Sequence, residues 1–263
     1  MDTFQAIVFN YIIAFACGII ASDVEINFSE IYLQEWFYGA VFLGFLFVAI
    51  FNVMALTSQK NGLSVASVSS KMSVVIPVIF GVILYEESLS FIKITGILLA
   101  LVAVYLASVK TEGISIDKKY LLFPVLLFFG SGIIDTSLKF IEKNYVTVDT
   151  IPIFSATTFL FAFIFGILFL SFKLIRKETK IKSKNLLGGL MLGIPNYFSI
   201  FFLIKSLQVK GFESSTLFTI NNVGIVVLST LFGLIFFKEK LLVKNWIGIL
   251  LALISILLVS ISK

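Results

Sequence analysis

Histidine is missing from this 263-residue chain, and cysteine, proline and charge are scarce: one Cys, four Pro, and 13% Asp, Glu, Lys and Arg together. With no His and a single thiol, Cys17, inside an apolar run, disulfide frameworks, Cys/His zinc sites and haem-type ligation are excluded. No cofactor is expected. The charged fraction is about half that of aqueous globular proteins, whereas 59% of the residues are hydrophobic and the mean hydropathy is +1.08. A chain so composed is an integral membrane protein. Arginine is nearly absent too, Arg176 being the only one, so the net charge of +5 is carried by lysines in loops. There they act as an orientation signal rather than a nucleic acid surface. The N-terminus lacks the basic start and small-residue cleavage pattern of a signal peptide, so the first apolar run is expected to stay in the mature chain.

What is present is a series of apolar runs of about 20 residues, each long enough to cross a hydrocarbon core of roughly 30 Å. They lie near 4 to 21, 36 to 57, 63 to 85, 91 to 109, 120 to 141, 151 to 173, 186 to 206, 213 to 237 and 243 to 262. Barrel strands would be half as long and alternating. The predicted fold is all-α, a polytopic bundle of nine transmembrane helices, because backbone groups in lipid must be satisfied within the segment.

Two of these blocks repeat. Residues 80 to 108 and 232 to 260 align at a constant offset of 152, with 13 identities in 29 positions, including Phe-Gly, Glu-x-Leu and a distant Gly. The copies are five helices apart, and an odd number inverts the second copy in the membrane. The correspondence extends back, at a slightly shorter offset, to Gly62 and Gly211, and more loosely to Asp2-Thr3 and Asp149-Thr150. Residues 1–110 thus read as a first repeat of four helices, 111–119 as a linker and 120–263 as a second repeat of five. The helix at 120 to 141 then has no partner, and a first helix of about 25 residues is expected to be missing. Loop lysines and Arg176 number 13 on the N-terminal side against 6 on the other, which predicts a cytoplasmic Met1, a cytoplasmic 173 to 184 loop and an external Lys263. The acidic loop 22 to 35 is then external.

Two five-helix repeats, each ending in a Glu-x-Leu loop and a Gly-Ile-Leu-Leu-Ala-Leu helix, resemble the EamA-type proteins of the drug/metabolite transporter superfamily. The matching blocks are Gly62 to Ser108 and Gly211 to Ser260. The resemblance implies a ten-helix inverted-repeat carrier with a central cavity, moving small metabolites, amino acids, sugars or drugs, and with both termini in the cytoplasm. The nine visible helices and the loop charges depart from that pattern.

Polar residues inside the spans are the candidate site. Lys71 lies about 12 Å into its span, where a lysine costs on the order of 2.5 to 3.5 kcal/mol. It shares a face with Ser64 and Ser67, as a cavity wall meeting an anionic substrate group would require. Snorkelling is the alternative. The partner helix offers Ser215, Thr219 and Asn222 on one face, with Asn221 beside them, either for substrate or as packing glue. Asp135 reads as an i,i+4 partner of Lys139, or as a protonatable coupling site or the counter-ion of Lys71. Pro195-Asn196-Tyr197 reads as a break in the seventh span, where Asn196 and Tyr197 would face substrate. Asn52 and Asn10-Tyr11 read as packing, Trp36 and Trp246 as interfacial anchors, and Glu86, Glu87 and Glu239 as complements to the N-termini of the final helices.

The function expected is a secondary transporter working by alternating access, moving a small metabolite, amino acid or drug-like solute, with substrate contacts from Lys71, Ser67, Asn221, Asn222, Asn196 and Tyr197 and coupling at Asp135. The alternative is a truncated or non-transporting membrane protein acting as a partner subunit. No phosphate-binding glycine loop points to ATP. No nucleophile with a base, metal cluster or carboxylate pair points to an enzyme, and no charged ring or filter loop to a channel. Expected partners are a small-molecule substrate and the lipid bilayer, in a cell membrane. Nucleic acid is excluded, and a homodimer is left open.

Overall fold

The structure, a computed structural model, describes residues 2–22, 30–108, 120–181, 183–237 and 242–261. The linker expected at 111–119, Asp23 and Glu25 of the acidic loop, Glu239, and Lys110, Lys182, Lys238, Lys240 and Lys263 lie outside them. The described residues form ten α-helices: α1 (Thr3–Ile20), α2 (Phe37–Asn61), α3 (Leu63–Met72), α4 (Val75–Tyr85), α5 (Phe91–Ser108), α6 (Leu122–Tyr145), α7 (Ile151–Ile175), α8 (Ser183–Leu207), α9 (Ser214–Phe237) and α10 (Val243–Ile261). The described residues contain no strand. Because α3 and α4 together form one span, nine segments among the described residues are long and apolar enough to cross a membrane. The protein is therefore a multi-pass helical membrane protein, as its composition requires.

Local chemistry sets the helix ends. The Asp2 carboxylate accepts from the amides of Phe4 and Gln5 at 3.1 and 3.3 Å and caps α1. Pro152 sits in the first turn of α7, where a missing N–H costs nothing. Gly62 and Gly211, equivalent positions in the two repeats, both take positive φ, +94° and +95°, immediately before α3 and shortly before α9. No neighbour would crowd a side chain at either place. Glycine is there for its backbone freedom alone.

Two compact units form, and neither coincides with a repeat. The first comprises Met1–Ala55 and Ser137–Lys210, the second Leu56–Thr136 and Gly211–Lys263. Their divisions fall within α2, within α6 and between α8 and α9. In the first unit α1 packs on α7 and α8. Lipid offers no hydrophobic drive between helices, so close backbone approach matters. Gly18 lies against Ala156 and Tyr197, and Gly189 and Gly193 lie against Phe9, Asn10 and Ile13. A separate cluster of buried residues gathers Trp36, Leu43, Leu138, Ile151, Phe154 and Ile204. Trp36 is thus a core residue, edge-on to Phe154 at 5.7 Å, rather than an interfacial anchor. Trp246 is half exposed.

In the second unit α5 packs along α10, and α9 packs on α4, α5 and α10. The α5/α10 crossing is reciprocal. A side chain at Gly96 would meet Val259, and one at Gly248 would meet Ala107. The offset of 152 that relates Gly96 to Gly248 also relates Ala107 to Val259, so the two helices exchange equivalent residues end for end. Such an exchange is what a two-fold axis through an antiparallel crossing produces.

Candidate functional site

The third span is discontinuous, and its break is next to Lys71. Pro77 has no N–H for the Ser73 carbonyl and its ring would collide with that carbonyl in a continuous helix. The chain instead turns at Ser73 and Val74: the Ile76 amide donates to Ser73 O at 2.9 Å, and the Ser73 hydroxyl donates to Ser70 O at 2.6 Å. Helix α4 then begins two residues ahead of Pro77, where the missing donor is harmless. With 10 and 11 residues, α3 and α4 are each about 15 Å long, so the break falls near the middle of a span. Lys71 occupies the last turn of α3, where the carbonyl end of the helix dipole favours a cation.

Opposite this break lies α6. The Ser131 hydroxyl donates to Ser70 Oγ at 3.4 Å, and Gly132 gives room to Ile76. One turn beyond Ser131, Asp135 interacts electrostatically with Lys71. Lys139, the other sequence candidate for Asp135, is engaged elsewhere: its ammonium donates to Glu142 at 2.8 Å and to Leu207 O at 3.3 Å. The i,i+4 pair expected from sequence gives way to an i,i+3 pair because Glu142 is itself buried and needs a cation. Asp135 is left to the charge on α3.

The other predicted residues divide between the two units. Ser67, in the second unit with Lys71, shares a hydrogen bond of 3.3 Å with Ser108 and so ties α3 to α5. Asn222 is buried on α9 and its amide nitrogen has no protein partner, whereas Asn221 beside it is half-buried. Asn196 and Tyr197 belong to the first unit. Asn196 donates to Asn10 at 2.8 Å, a bond between α8 and α1. Tyr197 is fully buried, stacked on Phe201 at 5.8 Å and tilted against Phe159 at 6.5 Å. Its hydroxyl, like those of Tyr11 and Ser155, meets no protein partner. The expected break at Pro195 does not occur, and α8 stays helical through it. Close packing of Gly193 on α1 and the Asn196–Asn10 bond hold the helix there.

A second polar cluster was hidden in sequence. Lys93, counted as a loop charge, is wholly buried in α5, where it pairs with Glu213 and lies 4.0 Å from Glu87. Glu87 in turn accepts from the Ser214 amide at 2.8 Å, the Ser214 hydroxyl, and the Ser215 amide at 3.0 Å. It therefore caps α9, not the final helix of its own repeat as expected. Glu213 also accepts from the Ser88 amide at 3.0 Å. Partial burial pushes the Glu213 carboxyl up, but the hydrogen bonds from Lys93 and Ser88 together with the Lys93 charge outweigh it and hold it below the ordinary glutamate range. The signal was available: Lys93 shares the helical face of Gly96, Ile97, Ala100 and Val104, all buried.

Residues 121–261 match the EamA-like transporter family. An uncharacterized protein of Haemophilus influenzae is 30% identical over 259 residues, covering 96% of this chain and 86% of its own. A crystal structure with 15% identity superimposes with a TM-score of 0.73 over 99% of this chain and 89% of that one, a likeness of fold. With more than half of its length matched and a relative similar almost end to end, the chain belongs to the EamA-like transporter family and is a membrane transporter of the drug/metabolite superfamily.

Proposed function

We propose that this transporter is a secondary carrier that moves a small organic solute across a cell membrane by alternating access between the repeats at 1–110 and 120–263. The observation that carries the reading is Lys71 at the break of a discontinuous helix, with Asp135 as its counter-charge. Discontinuous helices near the bilayer midplane are where carriers of inverted-repeat design bind cargo and ions, because a broken helix exposes backbone dipoles without exposing them to lipid. A lysine at that position serves as an anchor for a negative group on the cargo, and Asn222, with an amide nitrogen lacking a protein partner, supplies a neutral donor. The reciprocal α5/α10 crossing supports two inverted halves working about a common axis.

Counterflow into liposomes loaded with labelled amino acids, sugars, organic acids or drugs tests the reading. Saturable exchange of at least one solute, reduced tenfold or more by Lys71→Ala, is the expected result. If no solute exchanges, the chain is a partner subunit instead of a carrier.

A further inference from the structure

Within the described membrane spans of the second unit, Lys71 and Asp135 are the acid and base that lie away from the span ends, on the helices α3 and α6 that the Ser131–Ser70 hydrogen bond joins. Of the elements around them, α5 brings Lys93, already held by Glu213 and Glu87, and Tyr105, which is exposed. Helix α4 adds Tyr85 at its far end. Helix α9 adds no charged group, and the second-unit part of α6 adds Asp135 alone. Lys60, at the end of α2, lies over the ring of Tyr120, 5.5 Å from its centre. The site thus contains one basic and one acidic group and is neutral as a set.

That neutrality constrains any cargo that binds Lys71. A net charge in the low-dielectric middle of a membrane is strongly disfavoured. A singly charged organic anion that binds beside Lys71 and Asp135 adds one negative charge to that set. Neutrality returns when Asp135 binds a proton. We propose that Asp135 is the proton site of this transporter, and that a small organic monoanion and one proton occupy the Lys71–Asp135 pair together and cross together. The proposal rests on the carrier reading. In the step itself, the cargo carboxylate binds the Lys71 ammonium, an Asp135 oxygen forms one O–H bond with a proton from the entry side, and release reverses both. No charge moves in total, so the exchange should not respond to membrane voltage.

The test uses the full chain in lipid nanodiscs in weakly buffered medium, with acetate, L-lactate, benzoate and L-alanine as probes. L-Alanine has the lactate skeleton with an ammonium in place of the hydroxyl. The expected result is that at least one of the three monoanions binds with uptake of one proton per anion, and that a protonated-carboxyl infrared band appears on binding. In Asp135→Asn the anion still binds, while the proton uptake and the band are lost. Lys71→Met weakens anion binding tenfold or more, and Lys71→Arg restores it, which separates lost charge from lost folding. Binding of an anion without a proton overturns the proposal, as does proton uptake that survives in Asp135→Asn. Tighter binding of L-alanine than of L-lactate with no proton taken up overturns it as well, since a zwitterion would then bridge the pair. If none of the monoanions binds while another solute shows counterflow, the proposal falls and the carrier reading stands. If nothing exchanges, the carrier reading falls first.

Discussion

Lys93 and Asn245 occupy the same position in the two repeats, near the starts of α5 and α10, and both are buried. One is solved with charge and the other without. Lys93 binds Glu213 and lies near Glu87, and Glu87 caps α9, so one ammonium organises two carboxylates and a helix end. Asn245 donates to Leu106 O at 2.9 Å and Ala107 O at 3.3 Å, closing the carbonyl end of α5, and accepts from the Leu242 amide at 2.8 Å. An asparagine satisfies an orphan helix end by itself. A lysine needs partners, and the sequence supplies one from the loop just before α5 and one 120 residues further along the chain. The two-fold relation between repeats therefore holds for backbone crossings and fails for polar chemistry.

The difference can be broken most strongly at Lys93. Lys93→Met leaves Glu87 and Glu213 without their cation and should cost on the order of 3 kcal/mol, as removal of one partner from a buried pair does. Asn245→Ala removes neutral bonds and should cost about 1 to 2 kcal/mol. Thermal unfolding of both variants in one detergent gives the ranking, and equal losses would remove the distinction between the two ends. The crossing itself should be nearly symmetric, yet a Cβ at Gly248 would meet the Ala107 backbone nitrogen at 2.6 Å, whereas one at Gly96 first meets the Val259 Cγ2 methyl at 2.6 Å. A methyl can move and a backbone cannot. Gly248→Ala should therefore destabilise more than Gly96→Ala, within the roughly 1 to 3 kcal/mol of overpacking, in the same unfolding assay.

The smallest effect concerns acid. Because the folded-state pKa of Glu213 is depressed, its stabilisation is complete above the ordinary glutamate value of 4.5 and drains away as the pH falls below that toward the depressed value. The Glu213 side chain is 36% exposed, so solvent screens much of its charge and the slope should be shallow. Glu213→Gln should flatten the acid limb of a stability profile below pH 4.5. An unchanged limb would place the acid sensitivity elsewhere.

Span count, span positions and the glycine landmarks were legible because lipid permits few solutions: a long apolar run must be helical. Gly62 and Gly211 aligned in sequence and share one unusual backbone conformation in space. Pairing was much less legible. Sequence spacing joined Asp135 to Lys139, but a buried Glu142 competes for that lysine, and the competition depends on which helix covers which face. Trp36 at a span end looked interfacial and is a core residue packed against Phe154, for the same reason. Pro195 and Pro77 show the limit again: the same residue type breaks the helix where the Ser73 hydroxyl offers another partner to the backbone, and is carried through where α1 packs tightly on α8.

The break beside Pro77 also bears on how the protein is made. Lys71 and Asp135 are 64 residues apart in the chain, and a ribosome adding about 5 to 20 residues per second makes the second roughly 3 to 13 seconds after the first. During that interval the lysine has no carboxylate, and the polar α3, with four serines besides, has only the apolar α4 on its other side to draw it into the bilayer. Stable insertion of the third span should therefore wait on synthesis of the fifth.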